Sequence, residues 1–350
     1  MNSTVQKKPS AKLTAIYISI IAVILLILGV YIAIEYDALY VLKTIKRIDP
    51  VFILLGVLMV FVQLYCEAGC IKLLFSLLQR KVRFSDAAGY AGTDLFYSNI
   101  SPAQLAGLPA AGYSMYKDGI DTPSACTVLA IYSMCNRFAV ILLAAASVLF
   151  YPLLLKTGST LFTTLFVYGT IVNLGIVALF AVCLFAPTFA RKLIPVVVSL
   201  LTKIKFFHIS EKSVENARAG VERYVNAAKI IRSSPLAVLF VLLICVFKRL
   251  VNFSITYFAY LAFGLSGESY QYIMALQSVL AVSAESVPIP GSAGVAENVF
   301  TILYSNVFGP RLYVAATIVT RALNFFALLV ISGAYTLIHN FSRKRIGKVR

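Results

Sequence analysis

Three hundred and fifty residues would hold about two soluble domains, but 60% of them are hydrophobic and only 13% are charged. Average globular chains are about 45–50% apolar and roughly 25% charged, so a soluble surface is excluded and an all-α polytopic membrane protein is expected. Thirty-one Lys and Arg against 14 Asp and Glu leave a net charge of +17, but the cations sit between apolar blocks and read as loop charge, not as a nucleic-acid surface.

A bilayer core of about 30 Å takes roughly 20 helical residues. Residues 13–34 supply the first such run, preceded by Lys7, Lys8 and Lys12. The run is too long for a signal peptide and lacks a small-x-small site before Glu35, so it is read as an anchor. Further runs cover 51–78, 123–151, 161–186, 235–264 and 312–339. The stretches 87–116 and 270–308 are also apolar but are interrupted by Pro, Gly and polar residues. The expectation is therefore about six full spans plus two re-entrant broken hairpins in a single integral-membrane domain, 1–342, with a basic tail at 343–350.

Positive charge marks cytoplasmic loops. The N-terminal lysines, the loop at Arg80, Lys81 and Arg83, the segment 187–233 and the tail after His339 are all basic. Placing all four inside requires each broken stretch to enter and leave on one side, the first from the cytoplasm and the second from outside. The loop with Lys43, Lys46 and Arg47 then lies outside, against the rule. Both termini are expected in the cytoplasm and the chain in the cell membrane.

The same layout suggests an inverted repeat. Residues 51–150 run span, broken hairpin, span with Arg137, and residues 235–338 repeat that order with Arg321. Chance pseudo-symmetry in a long membrane chain is the alternative. In the basic segment between the units, Val214, Ala217, Val221, Tyr224, Val225, Ala228 and Ile231 recur at helical spacing. Such a stripe suits either an amphipathic helix on anionic headgroups or a solvated connector packed on the bundle.

Non-helical backbone at membrane depth survives only where protein or a water-filled cavity satisfies it. The first break offers Ser98, Asn99, Ser101, Gln104 and Gly107 around Pro102 and Pro109, groups suited to a polar ligand. The second holds Pro288, Pro290, Gly291, Ser292 and Gly294 ahead of Glu297, and a helix starting there would present N–H groups to an anion. Asp94, Glu285, Lys248 and Arg249 also fall in or beside apolar runs, as does Glu67. A mid-bilayer charge costs about 2.5–3.5 kcal/mol and usually pairs or serves function. Arg137 and Arg321 are candidates to grip a lipid phosphate with two parallel hydrogen bonds; ion pairing with Glu285, Glu297 or Asp94 is the structural alternative. Lys248 and Arg249 are expected to pair, or to reach a cavity through a kink.

The six cysteines all lie in apolar stretches and read as thiols buried in helices. No CxxC occurs, and His208 and His339 are the only histidines. No metal or other cofactor is expected. No phosphate-binding-loop pattern is present, which argues against ATP drive.

The two breaks carry a family resemblance. Ser101-Pro102, Ala106-Gly107-Leu108-Pro109 and Tyr113-Ser114-Met115-Tyr116-Lys117-Asp118-Gly119-Ile120 resemble a Ser/Thr-Pro, Gly-Gly-Gln-Pro, Tyr-x-Met-x-x-Asp-Gly-Ile motif. Pro288-Ile289-Pro290-Gly291-Ser292-Ala293-Gly294-Val295-Ala296-Glu297 resembles Pro-x-Pro-Gly-Gly-x-Gly-x-x-Glu, and Thr320-Arg321-Ala322 resembles an arginine that follows it. Both motifs belong to the membrane region of lysylphosphatidylglycerol synthase, the flippase-like part of the multiple peptide resistance factor, and its stand-alone relatives. Leu108 stands where that pattern has Gln, and Ser292 where it has Gly.

The resemblance implies movement of a phospholipid, aminoacylated phosphatidylglycerol among them, or of an isoprenoid-linked lipid between leaflets. Expected partners are membrane lipids, anionic ones in particular; self-association stays open and nucleic acid is excluded. An integral-membrane transferase, with Asp118 and Asp121 as the nearest acids, is a second reading, and a non-transporting scaffold is a third.

Overall fold

The computed structural model describes residues 43–156, 159–186 and 211–346, with isolated positions between 187 and 210. The expected anchor at 13–34, His208 and residues 347–350 lie outside the described residues. The chain divides into a short unit, 1–48, and a body, 49–350.

Among the described residues the body is nearly all helical. It comprises α1 (Pro50–Leu77), α2 (Phe84–Ile100), α3 (Gly107–Lys117), α4 (Thr122–Phe150), α5 (Thr160–Phe185), α6 (Glu211–Arg232), α7 (Pro235–Ala262), α8 (Tyr270–Glu285), α9 (Val295–Arg321) and α10 (Leu328–Ile346). Polar caps set several starts: Asp49 accepts from the Val51 N–H at 2.9 Å, Asp121 from Ser124, Ser159 from Phe162 and Ser269 from Tyr272. Prolines stand in the first turn of α1, α4 and α7, where no N–H is needed.

Among the described residues, five helical stretches are long and apolar enough to cross a membrane: α1, α4, α5, α7 and the continuous run 295–342 through α9 and α10. At about 1.5 Å per residue, the 28 residues of α1 and of α7 reach about 42 Å, more than the roughly 30 Å hydrocarbon core. Leu54, Leu58, Leu149, Ile171, Leu239 and Leu243 point outward on these helices. The chain is a multi-pass membrane protein.

In contrast, α2 and α8 stop short at 17 and 16 residues. Each leads into a break and a second arm. The second arm after α8 ends at Gly309 (φ 72°), where α9 is kinked ahead of Pro310. The run then continues through a π-helical turn, Ala322–Ala327, into α10. Packing is reciprocal: α2 lies against α10, α8 lies against α4, and α1 runs along α7. The Asp49 N–H donates to the Ala262 carbonyl at 2.9 Å, so the start of α1 meets the end of α7. Among the described residues two large apolar cores result, and α4 and α7 contribute to both.

The six cysteines are free and helical, but Cys126 is exposed while Cys70, Cys135 and Cys245 are buried. The apolar stripe of α6 is described from Val221 onward. Val221, Tyr224, Val225, Ala228 and Ile231 are buried and the helix packs on α4, α5 and α7. This described part of the stripe faces the bundle. An apolar face is satisfied equally by lipid or by protein, so its direction was not legible from spacing.

Gly169 lets α5 approach the backbone of α8, because a Cβ there would lie 1.8 Å from the Val282 carbonyl oxygen. Gly169→Ala is expected to lower stability by about 1–3 kcal/mol, the usual cost of overpacking, read as a lower Tm in detergent. Gly175→Ala, with nothing within 4 Å of its Cβ position, is the matched control and is expected to hold or raise Tm.

Asp121 gives a pH signature. Burial raises its carboxyl, but the Ser124 hydroxyl and N–H, together with Arg80, outweigh burial and leave it below the ordinary carboxylate range. A depressed folded-state value stabilises above the unfolded value, about 3.9, and this is lost as pH falls through the folded value. Asp121→Asn is therefore expected to lower Tm near neutrality and to flatten its decline below about pH 4.

Candidate functional site

The two breaks adopt the same turn. In the first, Gln104 N–H donates to the Ser101 carbonyl and Leu105 N–H to the Pro102 carbonyl. In the second, Ser292 N–H donates to Ile289 and Ala293 N–H to Pro290. Left-handed residues fall at matching places, Ala103 and Gln104 (φ 50° and 58°) and Gly291 and Ser292 (φ 60° and 53°). Shortly past the matching prolines a helix has begun in each case, α3 at Gly107 and α9 at Val295. Pro102 and Pro290 lie opposite one another in an isolated antiparallel bridge, so the two turns meet tip to tip.

Each candidate arginine holds its own break. Arg137, buried on α4, donates to the Gln104 side-chain oxygen at 3.3 Å and to the Asn173 side-chain oxygen at 3.2 Å. Asn173 in turn donates to the Ser286 hydroxyl at 2.9 Å, tying Arg137 to both breaks. Arg321 donates through Nη2 to the Gly291 carbonyl at 3.0 Å and through Nε to Glu297 at 2.6 Å. The carboxylate partner expected for Arg321 is thus present. Arg137 has none within 4 Å among the described residues: Arg249 takes Glu285, and the bonded partner of Asp94 is Ser98. Amide oxygens replace the carboxylate because α5 places Asn173 beside the guanidinium.

Around the tips lies a cavity of about 180 Å³. Ser98, Asn99, Ser101, Gln104, Gly291, Ser292, Glu297 and Arg321 line it, as do Asp94, Glu285, Lys248 and Arg249. Arg137, Gly107 and Gly294 do not. Gly107 serves close approach, since a Cβ would lie 1.9 Å from the Ser98 hydroxyl and 2.1 Å from the Asp94 carboxylate. Gly294 starts α9, but its N–H is taken by Glu297 at 2.7 Å. The helix start expected to receive an anion is capped by the protein's own carboxylate.

Three ion pairs stand in the wall. Arg249 donates to both oxygens of Glu285, at 2.9 and 3.1 Å, and to the Asn136 side-chain oxygen at 3.2 Å. Lys248 meets Glu67 at 2.5 Å, and the Tyr132 hydroxyl also donates to Glu67 at 2.5 Å. Arg321 with Glu297 is the third. Lys248 and Arg249 therefore both pair and line the cavity, without a kink in α7.

Gln63, Tyr132, Asn136, Asn252 and Gln277 also stand on the wall, and none of them was expected there from the sequence. The amides among them carried a signal: side-chain amides inside apolar runs are costly and tend to face a bundle interior.

The family described as the lysylphosphatidylglycerol synthase TM region matches residues 15–332. The chain belongs to that family. A search of curated proteins gave no match. In this member of the synthase TM-region family, residues of the two motifs build the tips and the Arg321 clasp. Asp118 lies elsewhere, bonded to the Tyr90 hydroxyl at 2.7 Å and to His339 at 2.8 Å. Asp121 caps α4 and pairs with Arg80.

Removing one partner of a buried pair leaves an uncompensated charge at about 3–5 kcal/mol. Lys248→Met is expected to lower Tm accordingly, and Lys248→Met with Glu67→Gln to recover most of the loss. A double-mutant cycle on thermal stability reads the coupling.

Proposed function

We propose that this protein moves a lipid between leaflets, with the headgroup in the cavity and the acyl or isoprenoid tails left in the bilayer. The observation that carries this reading is a small polar cavity, formed where two matched breaks meet inside an otherwise apolar bundle. A phospholipid is the favoured cargo, an aminoacylated phosphatidylglycerol among the candidates. Arg321 supplies the guanidinium for its phosphate, exchanging Glu297 for the incoming anion. Ser98, Asn99, Ser101, Gln104 and Ser292 offer hydroxyl and amide groups to the rest of the headgroup. Arg137 acts from behind the wall, holding Gln104 in place.

The inverted repeat belongs to the same proposal. Support comes from the matched turns, from first helices of 28 residues in each unit, and from α2 and α8 each lying on the other unit's last span. The breaks then form two re-entrant hairpins entering from opposite faces. Contacts sort by side accordingly: Asp49 with Ala262 and Tyr151 with Tyr272 outside, Arg80 with Asp121 and Asp118 with His339 inside. With the basic loops inside, both termini are cytoplasmic in the cell membrane. The transferase reading has less support, because Asp118 and Asp121 stand off the cavity in capping and packing roles.

Truncating a charge that binds another costs about 2–5 kcal/mol, and tenfold is about 1.4 kcal/mol. Arg321→Ala is therefore expected to slow leaflet transfer in proteoliposomes at least about tenfold, and Arg137→Ala less. Unchanged transfer in the folded double variant would sink the assignment.

A further inference from the structure

Glu67 and Asp94 sit side by side in the cavity wall, Glu67 on α1 with no exposure and Asp94 on α2 at 6%. We propose that this pair holds one exchangeable proton and that its uptake and release couple lipid movement to a proton gradient. The coupling rests on the lipid-transport reading; the proton site does not.

Charge balance is the first ground for the site. Among the described residues, Lys248 is the one cation within 4 Å of either acid, and it bonds Glu67 Oε2, the same oxygen that accepts from Tyr132. The bonded partner of Asp94 is the neutral Ser98 hydroxyl, at 3.1 Å. Among the described residues, Arg137 on α4, Cys245 on α7 and Cys70 on α1 also face the pair, and Arg249 on α7 stands beside Cys245 and Arg137. Arg249 is spent on Glu285, whereas Arg137 donates to two neutral amides and forms no ion pair with either acid. Two carboxylates and one directly paired ammonium leave that bonded cluster at −1, with Arg137 the nearest cation not engaged by a carboxylate. An isolated buried carboxylate neutralises instead of remaining charged, and adjacent carboxyls hold a proton as a pair.

Hydrogen bonding points the same way, independently of the charge count. Glu67 Oε1 is fully buried with no donor, and Gln63 Nε2, one helical turn earlier and 2% exposed, has no acceptor. Both side chains line the cavity. A proton on Asp94 is the donor that Oε1 lacks. Without it, a buried unpaired acceptor costs about 1–3 kcal/mol.

The position also explains how the proton is felt by the transport path. The start of α3 presses on Asp94 through Gly107, which leaves no room for a Cβ. Charging or neutralising Asp94 therefore acts on the first break. In one cycle a proton from water on the acidic side adds to the Glu67–Asp94 pair, is carried with the cavity's change of access, and returns to water on the other side.

Infrared spectroscopy of the purified protein in lipid tests the site. A protonated-carboxyl C=O stretch, shifted by deuterium, is expected near neutral pH and is expected to vanish in both Glu67→Gln and Asp94→Asn. Absence of the band in the wild type, or its persistence in both variants, overturns the site. Proteoliposomes loaded with a pH-sensitive dye test the coupling: an imposed pH gradient is expected to speed wild-type leaflet transfer several-fold, with dye-reported proton movement, and Asp94→Asn to abolish that acceleration. Wild-type transfer indifferent to the gradient overturns the coupling alone. Absence of any leaflet transfer overturns the coupling together with the transport reading, while the infrared result still decides the site.

Discussion

Backbone that leaves the helix inside an apolar bundle exposes amides and carbonyls that lipid cannot satisfy. The chain meets this constraint twice with one solution. Each break turns through two left-handed residues, closes two local hydrogen bonds and re-enters a helix, and the two turns face each other at Pro102 and Pro290. The rest of the body follows from that meeting. Helices that stop at the tips cannot fill the space between them, so a cavity remains. Ala103 and Gln104 carry a Cβ in a region that disfavours it by roughly 1–2 kcal/mol per residue, so an outside hold is needed. Arg137 supplies it for Gln104, as Arg321 does for Gly291.

The same arrangement decides where charge can be kept. Among the described residues, four cations and four acids stand in or behind the cavity wall: Arg137, Lys248, Arg249 and Arg321 against Glu67, Asp94, Glu285 and Glu297. Three pairs form directly, leaving Arg137 and Asp94 over. They are left over in opposite ways. The guanidinium keeps its charge and takes neutral oxygens from two helices, which binds the breaks into one structure. The carboxyl is beside another acid, with which it shares a single proton in the proposed site.

Much of this was legible in the sequence, for a physical reason in each case. Runs of apolar residues report spans because lipid demands them everywhere along the helix, and α1, α4, α5 and α7 lie close to the expected limits. Pro102, Pro288, Pro290 and Gly291 report the breaks because they cannot continue a helix or need not. What was not legible depends on partners far apart in the chain. Ala103 and Gln104 carry no glycine to announce a left-handed turn. Glu67, Tyr132 and Lys248 come from three helices, and nothing local says they converge. Arg137 looked equivalent to Arg321 by position, yet its neighbours Asn173 and Gln104 are amides, so the equivalence holds for geometry and fails for charge.

That difference bears on how a headgroup would be felt in the proposed transport. Glu297 has two duties: it pairs with Arg321 and it caps the Gly294 N–H at the start of α9. Arg321 likewise pairs with Glu297 and holds the Gly291 carbonyl. An anion that draws Arg321 away from Glu297 competes with both holds at once, and the π-helical turn immediately after Arg321 gives that side chain a locally widened helix from which to move. The first break has no such exchangeable carboxylate, because Arg137 grips amides and stays behind the wall. The two breaks are therefore alike in their backbone and unlike in their chemistry, and in the proposed transport the second tip releases while the first holds.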